Sequence, residues 1–318
     1  MIQDETPKHR LKLIERNIRA EDVVELVLVD PEGADLPIWE AGAHIDLALG
    51  DGIVRQYSLC GDPAARKEWR VAVLLEPESR GGSKWIHHDL EVGQEIEAQG
   101  PRNNFRLEPA QEYLFVAGGI GVTPLLPMIQ ELERKGADWR LLYGGRKLAS
   151  MAYVDTLRGY GPRVLVRPED AFGLLDLKEF LGQPRAGVAI YSCGPERLLG
   201  ALEQDVETWP EGTLHMERFK PKPGALEGAS GSFEVILSKT GGSVTVGPDE
   251  TIIDALDRIG LHVPRSCGEG TCGTCLTTVL DGTPDHRDSF LMGRKRAENK
   301  TICVCCSRAL TPTITLKL

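Results

Sequence analysis

The sequence predicts a multi-domain protein in which an antiparallel β-barrel, a doubly wound α/β domain and a small α+β domain follow one another. Its 318 residues suit two or three domains rather than one. Short alternating apolar segments separated by Gly, Pro and Asp fill the first third, whereas strand and helix patterns alternate in the middle. Six of the eight cysteines lie at or beyond position 267, which sets the last part apart.

The predicted domain boundaries follow these changes of pattern. The barrel domain is expected over 1–108, because alternating strand patterns end there. Over 109–222 strand and helix patterns alternate, which implies a parallel sheet with helices on both faces. Residues 223–231 have the composition of a linker. The last domain, 232–318, opens with a hairpin turning at 240–242 and a helix.

The composition argues against several classes of function. A formal net charge of −10 makes nucleic acid an improbable partner, because phosphate binding needs a basic face. No apolar run approaches the ~20 residues that span a membrane, and the charged start of the chain lacks the apolar core of a signal peptide. We therefore expect a cytoplasmic monomer without membrane contact. Clustered cysteines in that compartment indicate metal ligands rather than disulfides.

The strongest motif is the spacing C-x4-C-x2-C of Cys267, Cys272 and Cys275, with Cys305 following after a gap of 29 residues. This is the plant-type spacing for a [2Fe–2S] cluster. Interspersed glycines allow positive φ, so that backbone N–H groups can turn towards the sulfurs. These glycines are Gly268, Gly270 and Gly273.

Two alternatives stay open at this motif. A structural zinc ion would also take four thiolates, although its ligands usually come as two short C-x2–4-C pairs. The fourth ligand could also be Cys303 or Cys306. A strand through this segment would point Cys303 and Cys305 to one face and leave Cys306 as a core residue.

Two further strand ends carry glycines. Gly118, Gly119 and Gly121 lie between a strand and a helix, where glycine lets a pyrophosphate approach the helix N-terminus. Cys193-Gly194-Pro195 ends another strand of the same sheet. Carboxyl ends of parallel strands line the ligand crevice, so the pair favours a bound dinucleotide. A tight turn without a ligand is the alternative for either one.

Within the barrel, strand alternation places Arg55 and Tyr57 on one face and Gln56 and Ser58 on the other. An arginine, an aromatic ring and a hydroxyl suit a flat ring that bears a phosphate. Residues 79–85 add cationic side chains and glycine amides, a composition typical of a phosphate cradle. An ordinary barrel strand and a surface turn are the alternatives.

In their order and spacing these motifs resemble, along nearly the whole chain, the phthalate dioxygenase reductase and vanillate demethylase reductase family of iron–sulfur flavoproteins. The matching motifs are Arg55-Gln56-Tyr57-Ser58, Gly81-Gly82-Ser83, residues 118–124, Cys193-Gly194-Pro195, Glu217-Arg218-Phe219 and residues 282–288. The resemblance implies a flavin barrel, a nicotinamide domain of the ferredoxin–NADP reductase superfamily and a plant-type ferredoxin with the β-grasp fold. It also supports Cys305 as the fourth ligand, from its position before Ser-Arg.

The resemblance implies FMN and a [2Fe–2S] cluster as cofactors and NADH as the electron donor. NADPH stays an alternative, because Arg146 and Lys147 could meet a 2′-phosphate. The residues expected to border the reacting rings, and so to be catalytic, are Ser58, Thr123, Cys193 and Glu217. The other residues expected to bind cofactors are Arg55, Gln56, Tyr57, Arg80, Gly81, Gly82, Ser83, Lys84, Gly118, Gly119, Gly121, Arg146, Gly194, Pro195 and Phe219.

The implied function is an NADH-dependent reductase that passes electrons through FMN and the cluster to a terminal Rieske non-haem iron oxygenase. A flavin must lie between the other two groups, because nicotinamide donates two electrons together and the cluster accepts one. The same chain of cofactors could serve a cytochrome P450. A redox sensor without catalysis and a zinc-stabilised binding protein are the remaining alternatives.

Overall fold

The computed structural model describes residues 7–228 and 231–318. Residues 1–6, at the start of the predicted barrel domain, and residues 229 and 230, in the predicted linker, lie outside these ranges. The chain divides into two compact units, of which the first ends at Glu217 and the second spans Arg218–Leu318. The first unit contains both the barrel and the parallel sheet, and the boundary between them at 108 stays a prediction.

The first part of the first unit is an antiparallel barrel, as predicted. Its strands are β1 (Lys8–Ala20), β2 (Val23–Val29), β3 (His44–Ala48), β4 (Val54–Ser58), β5 (Glu68–Leu74) and β6 (Glu95–Arg102), with helix α1 (Gly82–His88) after β5. The strand order is β4-β3-β6-β1-β2-β5. A bridge between Leu59, just after β4, and Val71 in β5 brings the two outer strands together and closes the barrel. Its core is apolar and includes the fully buried Trp69.

The second part of the first unit is a parallel sheet with helices on both faces. Its strands are β7 (Glu112–Gly118), β8 (Asp138–Gly145), β9 (Val164–Pro168), β10 (Val188–Cys193) and β11 (Leu214–Glu217). Its helices are α2 (Leu125–Lys135), α3 (Val154–Arg158), α4 (Glu169–Phe172), α5 (Leu177–Leu181) and α6 (Glu196–Asp205). Alternate residues of β7 face two separate cores: Phe115 packs with α2, and Leu114 packs with α5 and α6. This two-sided burial is why the strand sequences are almost continuously apolar.

The strand order β11-β10-β7-β8-β9 decides where a ligand can bind. The chain builds the sheet outwards from β7 through β8 to β9, and then returns to the other side of β7 to form β10 and β11. The order therefore reverses between β7 and β10. In open parallel sheets the crevice at the carboxyl ends of two such strands is the usual ligand site.

The buried carboxylate of Glu25 links the two parts of the first unit. It lies on β2, only 2% exposed, and accepts hydrogen bonds from Arg19 at 2.6 Å and Arg70 at 3.1 Å. The hydroxyl of Tyr153, just before α3, donates to its other oxygen at 2.8 Å. Burial alone would raise the pKa of Glu25, but the hydrogen bonds from Arg19 and Tyr153 and the two arginine charges outweigh it. The pKa of Glu25 therefore lies below its ordinary value.

A carboxylate with a lowered pKa stabilises the folded state above its ordinary value near 4.5 and loses that contribution as pH falls through the folded value. We expect Glu25→Gln to lower the free energy of unfolding at pH 7 by about 2 kcal/mol, since both arginines are only partly buried. The loss should shrink towards pH 3. Urea denaturation across this pH range measures it, with Glu32→Gln, in an exposed pair with Arg10, as the control. A loss that stays constant with pH would contradict the assignment.

The second unit is a small α+β fold, as predicted. Its strands are β12 (Phe233–Leu237), β13 (Ser243–Val246), β14 (Leu276–Asp281), β15 (Pro284–Asp285), β16 (Thr301–Cys303), β17 (Arg308–Ala309) and β18 (Thr313–Leu316), with helices α7 (Ile252–Arg258) and α8 (Gly293–Ala297). The main sheet has the order β13-β12-β18-β14-β16, with β12 and β18 parallel. Helix α7 begins at a capping box of Thr251 and Asp254, and its apolar side packs on the sheet core.

The predicted hairpin is present as the antiparallel pair β12 and β13. Gly241 and Gly242 turn it with φ of 75° and 82°, values that only glycine adopts without strain. In the described parts of the chain, no helix has both the length and the apolar character that crossing a bilayer requires.

Candidate functional site

The crevice between β7 and β10 is formed by two loops that pack backbone against backbone. A Cβ added at Gly121 would lie 2.3 Å from the carbonyl oxygen of Cys193, and one at Gly118 would lie 2.5 Å from Pro195. A Cβ at Gly194 would lie 3.0 Å from the Cα of Gly118. These three glycines are therefore required by the contact between the loops. Their expected role in binding a nucleotide stays a prediction.

Gly119 differs from its neighbours. It has φ of 55°, and a Cβ added there would meet no atom within 4 Å. The backbone at Gly119 therefore borders open space at the crevice, where a ligand's phosphate could approach it.

Three of the four residues expected to border the reacting rings come together at the carboxyl edge of the sheet. The hydroxyl of Ser58, at the end of β4, donates to the Oε2 of Glu217 at 3.3 Å. Glu217 ends β11 directly beside Cys193, which ends β10 and is fully buried. Residues far apart in sequence thus form one polar group where the barrel meets the crevice.

Thr123, the fourth expected residue, lies in the loop that follows β7 and is 2% exposed. Its hydroxyl donates at 2.9 Å to the carbonyl of Ile120, within the same loop. The contact of Gly121 with Cys193 brings this loop against the end of β10. Thr123 therefore belongs to the same crevice, although its hydroxyl already has a backbone partner.

The expected phosphate cradle is formed by Arg55 and the start of α1. The Arg55 guanidinium donates at 2.8 Å to the backbone carbonyl of Arg80. A Cβ at Gly82 would lie 2.6 Å from the Cγ of Arg55, so the arginine side chain lies directly against that glycine. Lys84 is exposed on the first turn of the helix. A guanidinium and an ammonium group at one loop form a donor set that fits a phosphate.

The loop that forms this cradle is held by Ser83. Its buried hydroxyl accepts from the backbone N–H of Glu76 at 3.2 Å and donates to Ser79 at 2.9 Å. Gly81 has φ of 93°, in the range that favours glycine. Ser83 therefore shapes the loop, and its expected contact with a phosphate stays a prediction.

Tyr57 and Gln56 point to opposite faces of β4, as strand alternation predicts. Tyr57 is half-buried beside the barrel core, and burial raises the pKa of its phenol. The phenol is therefore neutral and offers a flat ring next to Arg55. Gln56 lies opposite Asp46 on β3 and donates to its carboxylate at 3.5 Å.

His44 and Arg102, two polar residues near Ser58, were not among the predicted site residues. His44, on β3, is the cross-strand partner of Ser58 and also of Arg102 on β6. It is 2% exposed, and within the described residues neither ring nitrogen has a hydrogen-bond partner; the Nε and Nη1 of Arg102 also have none. Burial, then the charge of Arg102, lowers the pKa of His44 to about 4, so the ring is neutral. One signal in the sequence could have indicated these residues: His44 and Asp46 interrupt the otherwise apolar run 43–49.

Two predicted residues lie apart from these groups. Arg146 is exposed just after β8, on the other side of β7 from Cys193. Phe219, 43% exposed, belongs to the second unit. Their expected roles in cofactor binding stay predictions.

The four cysteines expected to hold the cluster lie in the second unit and approach one another in pairs. The thiol of Cys272 hydrogen bonds with that of Cys267, and the thiol of Cys275 with those of Cys303 and Cys305. A zinc site needs four ligands around one ion, whereas a [2Fe–2S] cluster takes two thiolates on each iron. Cys267 with Cys272, and Cys275 with Cys305, are pairs that fit one iron each, while the contact of Cys275 with Cys303 keeps Cys303 as an alternative fourth ligand.

Backbone N–H groups turn towards these sulfurs, as the glycine pattern predicts. The N–H groups of Glu269 and Thr271 donate to the Sγ of Cys267 at 3.4 Å each, and that of Thr274 donates to Cys272 at 3.5 Å. The interspersed glycines all have positive φ: Gly268, Gly270 and Gly273. Such donors stabilise thiolate charge and are the usual environment of an iron–sulfur centre.

The predicted strand through residues 303–306 is wrong. Strand β16 ends at Cys303, and the N–H groups of Cys306 and Ser307 both turn back to its carbonyl, at 3.3 and 3.0 Å. Strand alternation therefore does not decide which thiol faces the loop. Cys306 is half-buried and packs against the core of the second unit, with its Sγ 2.5 Å from where a Cβ on Gly270 would lie. Cys305 stays the predicted fourth ligand.

A barrel joined to a doubly wound sheet, followed by a β-grasp unit with paired thiols, defines a class of electron-transfer oxidoreductase. The family described as the 2Fe-2S iron-sulfur cluster binding domain matches residues 235–310. The chain is 42% identical over 301 residues to the phenoxybenzoate dioxygenase subunit beta of Ectopseudomonas oleovorans, covering 94% of each chain. It is 40% identical over 306 residues to the vanillate O-demethylase oxidoreductase of Pseudomonas sp. strain HR199, covering 94% of this chain and 96% of that one.

Solved structures give the same result. The fold is similar to that of phthalate dioxygenase reductase, described as a modular structure for electron transfer from pyridine nucleotides to [2Fe–2S], with a TM-score of 0.72 and 34% identity over 98% of both chains. It is also similar to an intact type IV self-sufficient cytochrome P450 monooxygenase, with a TM-score of 0.89 and 42% identity. That match covers 98% of this chain but only 41% of the longer one.

The chain belongs to the phthalate dioxygenase reductase and vanillate demethylase reductase family of flavin and [2Fe–2S] oxidoreductases, the reductase components of oxygenase systems. The resemblance drawn from the sequence motifs is thereby confirmed. The matched 2Fe-2S domain contains all four cysteines predicted to be ligands.

Proposed function

We propose that this reductase takes electrons from NADH, holds FMN as its flavin and delivers electrons singly from its [2Fe–2S] centre to a terminal Rieske oxygenase. The observation that carries the proposal is the hydrogen bond between Ser58 and Glu217. It connects β4, the barrel strand that carries the predicted flavin motif, with the carboxyl edge of the parallel sheet. A flavin ring on the barrel side and a nicotinamide on the side of the parallel sheet could meet at that point.

In this proposal the barrel residues bind and orient the flavin. Arg55 and Lys84 neutralise the phosphate, and the Ser83 hydroxyl keeps the cradle in shape through Glu76 and Ser79. Tyr57 offers its neutral ring as a flat apolar cover. The phosphate held by these two cations is the group through which FMN would be bound.

The crevice residues position the nicotinamide and exclude water. Cys193, fully buried, and Glu217 border the ring, while Thr123 fixes the loop that approaches from β7. None of these groups has to move a proton as an acid or a base, because positioning two rings against each other supplies most of the rate. When bound, the flavin supplies the conversion from a two-electron donor to a one-electron acceptor.

The charged residues after β8 and β9 support NADH over NADPH as the electron donor. Lys147 forms an ion pair with Glu21, and this contact raises the pKa of the lysine. The acidic residues Glu169 and Asp170 directly follow β9. A 2′-phosphate would meet the exposed Arg146, but also these carboxylates and a lysine that is already paired, and this balance of charge supports NADH.

We expect kcat/KM for NADH to exceed that for NADPH by up to about fivefold, the size that one exposed ion pair can account for. Glu21→Gln should free Lys147 and raise kcat/KM for NADPH severalfold while leaving that for NADH unchanged. The variant Glu32→Gln, in an exposed pair on the barrel, is the matched control. A preference for NADPH in the wild-type protein would contradict the assignment.

A cytochrome P450 is the second candidate for the electron acceptor. The specific observation in its favour is the similarity to a self-sufficient P450 monooxygenase of which this chain covers 41%. Dioxygenase and demethylase components among the relatives support the Rieske type as the first candidate. Reconstitution with each kind of oxygenase under NADH distinguishes them, by comparing product formed per NADH consumed.

Anaerobic titration of the purified protein with NADH tests the core of the proposal. We expect the flavin absorption to bleach and a rhombic [2Fe–2S] signal to develop in the EPR spectrum. Acid-released flavin should have the mass of FMN. A colourless protein with one zinc ion would overturn the proposal, and so would a coloured protein that NADH leaves oxidised.

A further inference from the structure

The segment between the third and fourth predicted ligands contains Asp288. Among the described residues it is the one buried carboxylate of the second unit, 2% exposed, with its side chain fully buried. Burying an ionised carboxylate costs free energy of folding, because the group loses its water and its oxygens need hydrogen-bond donors in exchange. Its contacts show what it does.

On one side Asp288 lies against the cysteine loop. A Cβ added at Gly270 would lie 2.8 Å from the Cα of Asp288, and the N–H of Ser289 donates to the carbonyl of Gly270 at 2.9 Å. Gly270 lies between Cys267 and Cys272. The backbone at 288–289 therefore supports the part of the loop that carries the first two predicted ligands.

On the other side the carboxylate reaches the segment of the fourth predicted ligand. The hydroxyl of Ser307, two residues after Cys305, donates to its Oδ1 at 3.4 Å and accepts from the N–H of Arg287 at 3.1 Å. The N–H of Leu291 donates to its Oδ2 at 2.7 Å. Asp288 thus lies between two ligand-bearing segments that are separated by 29 residues, with its backbone against the first and its carboxylate bonded to the second.

The carboxylate is ionised. Burial would raise the pKa of Asp288, but the adjacent His286 ring, the Leu291 N–H and the charge of Arg296 outweigh it and lower that pKa. The Arg296 guanidinium is 3.7 Å from the Oδ2 and 39% exposed, so solvent screens part of its compensating charge. His286 faces the Oδ1 at 3.5 Å and hydrogen bonds on its other nitrogen with Asn299.

We propose that Asp288 is a positioning residue of the [2Fe–2S] centre: it fastens the cysteine loop to the Cys305 segment, and its buried negative charge lowers the centre's reduction potential. The inference rests on the proposed function, because it takes the four predicted cysteines as ligands. Reduction adds one negative charge to the cluster, and a fixed carboxylate nearby opposes that charge. Hydrogen bonding and charge around a cluster are the levers by which a protein sets its potential.

An EPR-monitored redox titration of the full-length holoprotein tests the charge. Asp288→Asn keeps the shape and removes the charge, so we expect the equilibrium for cluster reduction to shift by about tenfold, or about 59 mV for one electron, towards the reduced form. Asp285→Asn is the matched control, since Asp285 lies in the same segment, is 30% exposed and pairs with Arg287. Its potential should equal the wild-type value.

Ser307→Ala tests the fastening without changing charge. We expect this variant to keep the wild-type potential but to lose its cluster to a chelator about tenfold faster, followed by visible absorption. If Asp288→Asn does not fold, the rate of cluster loss in Ser307→Ala still tests the inference.

The outcomes separate this inference from the proposed function. An Asp288→Asn protein with full cluster content and the wild-type potential overturns the inference. A shift of equal size in Asp285→Asn, or wild-type cluster loss in Ser307→Ala, overturns it as well. A wild-type protein without any rhombic signal overturns the proposed function instead.

Discussion

Cys305→Ala is expected to eliminate the [2Fe–2S] EPR signal while the flavin stays bound and is still reduced by NADH. The thiol of Cys305 pairs with that of Cys275, and removing it leaves one iron a ligand short. The predicted flavin site lies in the first unit and the cysteines lie in the second, so the two cofactors should be lost independently. Electron transfer to a protein acceptor should fall to background.

The neighbouring cysteines provide controls that differ from this variant only in position. Cys303→Ala and Cys306→Ala should both keep the cluster, although Cys303 also contacts Cys275 and Cys306 lies against the loop at Gly270. Iron and sulfide analysis alongside EPR distinguishes a missing cluster from an altered one. A cluster retained in Cys305→Ala and lost in Cys303→Ala would show that the predicted fourth ligand is wrong.

Gly121→Ala is expected to slow flavin reduction by NADH about 100-fold or more. The new Cβ would lie 2.3 Å from the carbonyl oxygen of Cys193 and 2.6 Å from the N–H nitrogen of Gly194. Both are backbone atoms and cannot rotate away, so the two loops of the crevice must separate. Misplacement of a reacting group by about 1 Å typically costs a rate factor of this size. Stopped-flow spectroscopy of the anaerobic flavin absorption measures the rate.

Flavin content should be normal in this variant, because the phosphate cradle is formed by the barrel. Gly200→Ala is the matched control: it lies within α6, where a new Cβ meets no atom closer than 3.9 Å. Alanine in a helix interior is favoured over glycine by up to about 1 kcal/mol, so this variant should be as stable as the wild type or more stable. Wild-type rates in Gly121→Ala would mean that the loop contact does not position the nicotinamide.

Local patterns in the sequence were sufficient for the fold of each part. Alternating apolar residues separated by turn residues predicted the barrel, and the change to strand and helix periods predicted the parallel sheet. The hairpin at 240–242 was predictable because positive φ at two successive positions calls for glycine. One local prediction was wrong: the chain turns after Cys303, because the N–H groups of Cys306 and Ser307 bond back to its carbonyl. A run of β-branched residues and cysteines does not reveal such a turn.

The contacts between residues that are distant in sequence could not be predicted in this way. Local patterns singled out Ser58 and Cys193 separately, Glu217 came only from the family resemblance, and nothing local joins positions so far apart. His44 was missed, and Asp288 was noticed only as part of the matching segment 282–288, for the same reason. Each looks like an isolated polar residue until the strand or loop packed against it is known.

The sequence by itself determined the types of secondary structure, the order of the parts and the cysteine spacing that identifies the cluster. These depend on backbone preferences and side-chain periods within a few residues of each other. Only the tertiary structure decided that β7 and β10 are neighbours, that Gly121 must lack a side chain, and that Asp288 lies between the two cysteine segments. Those facts depend on which surfaces pack together after the chain has folded, and close packing couples residues without regard to their separation in sequence.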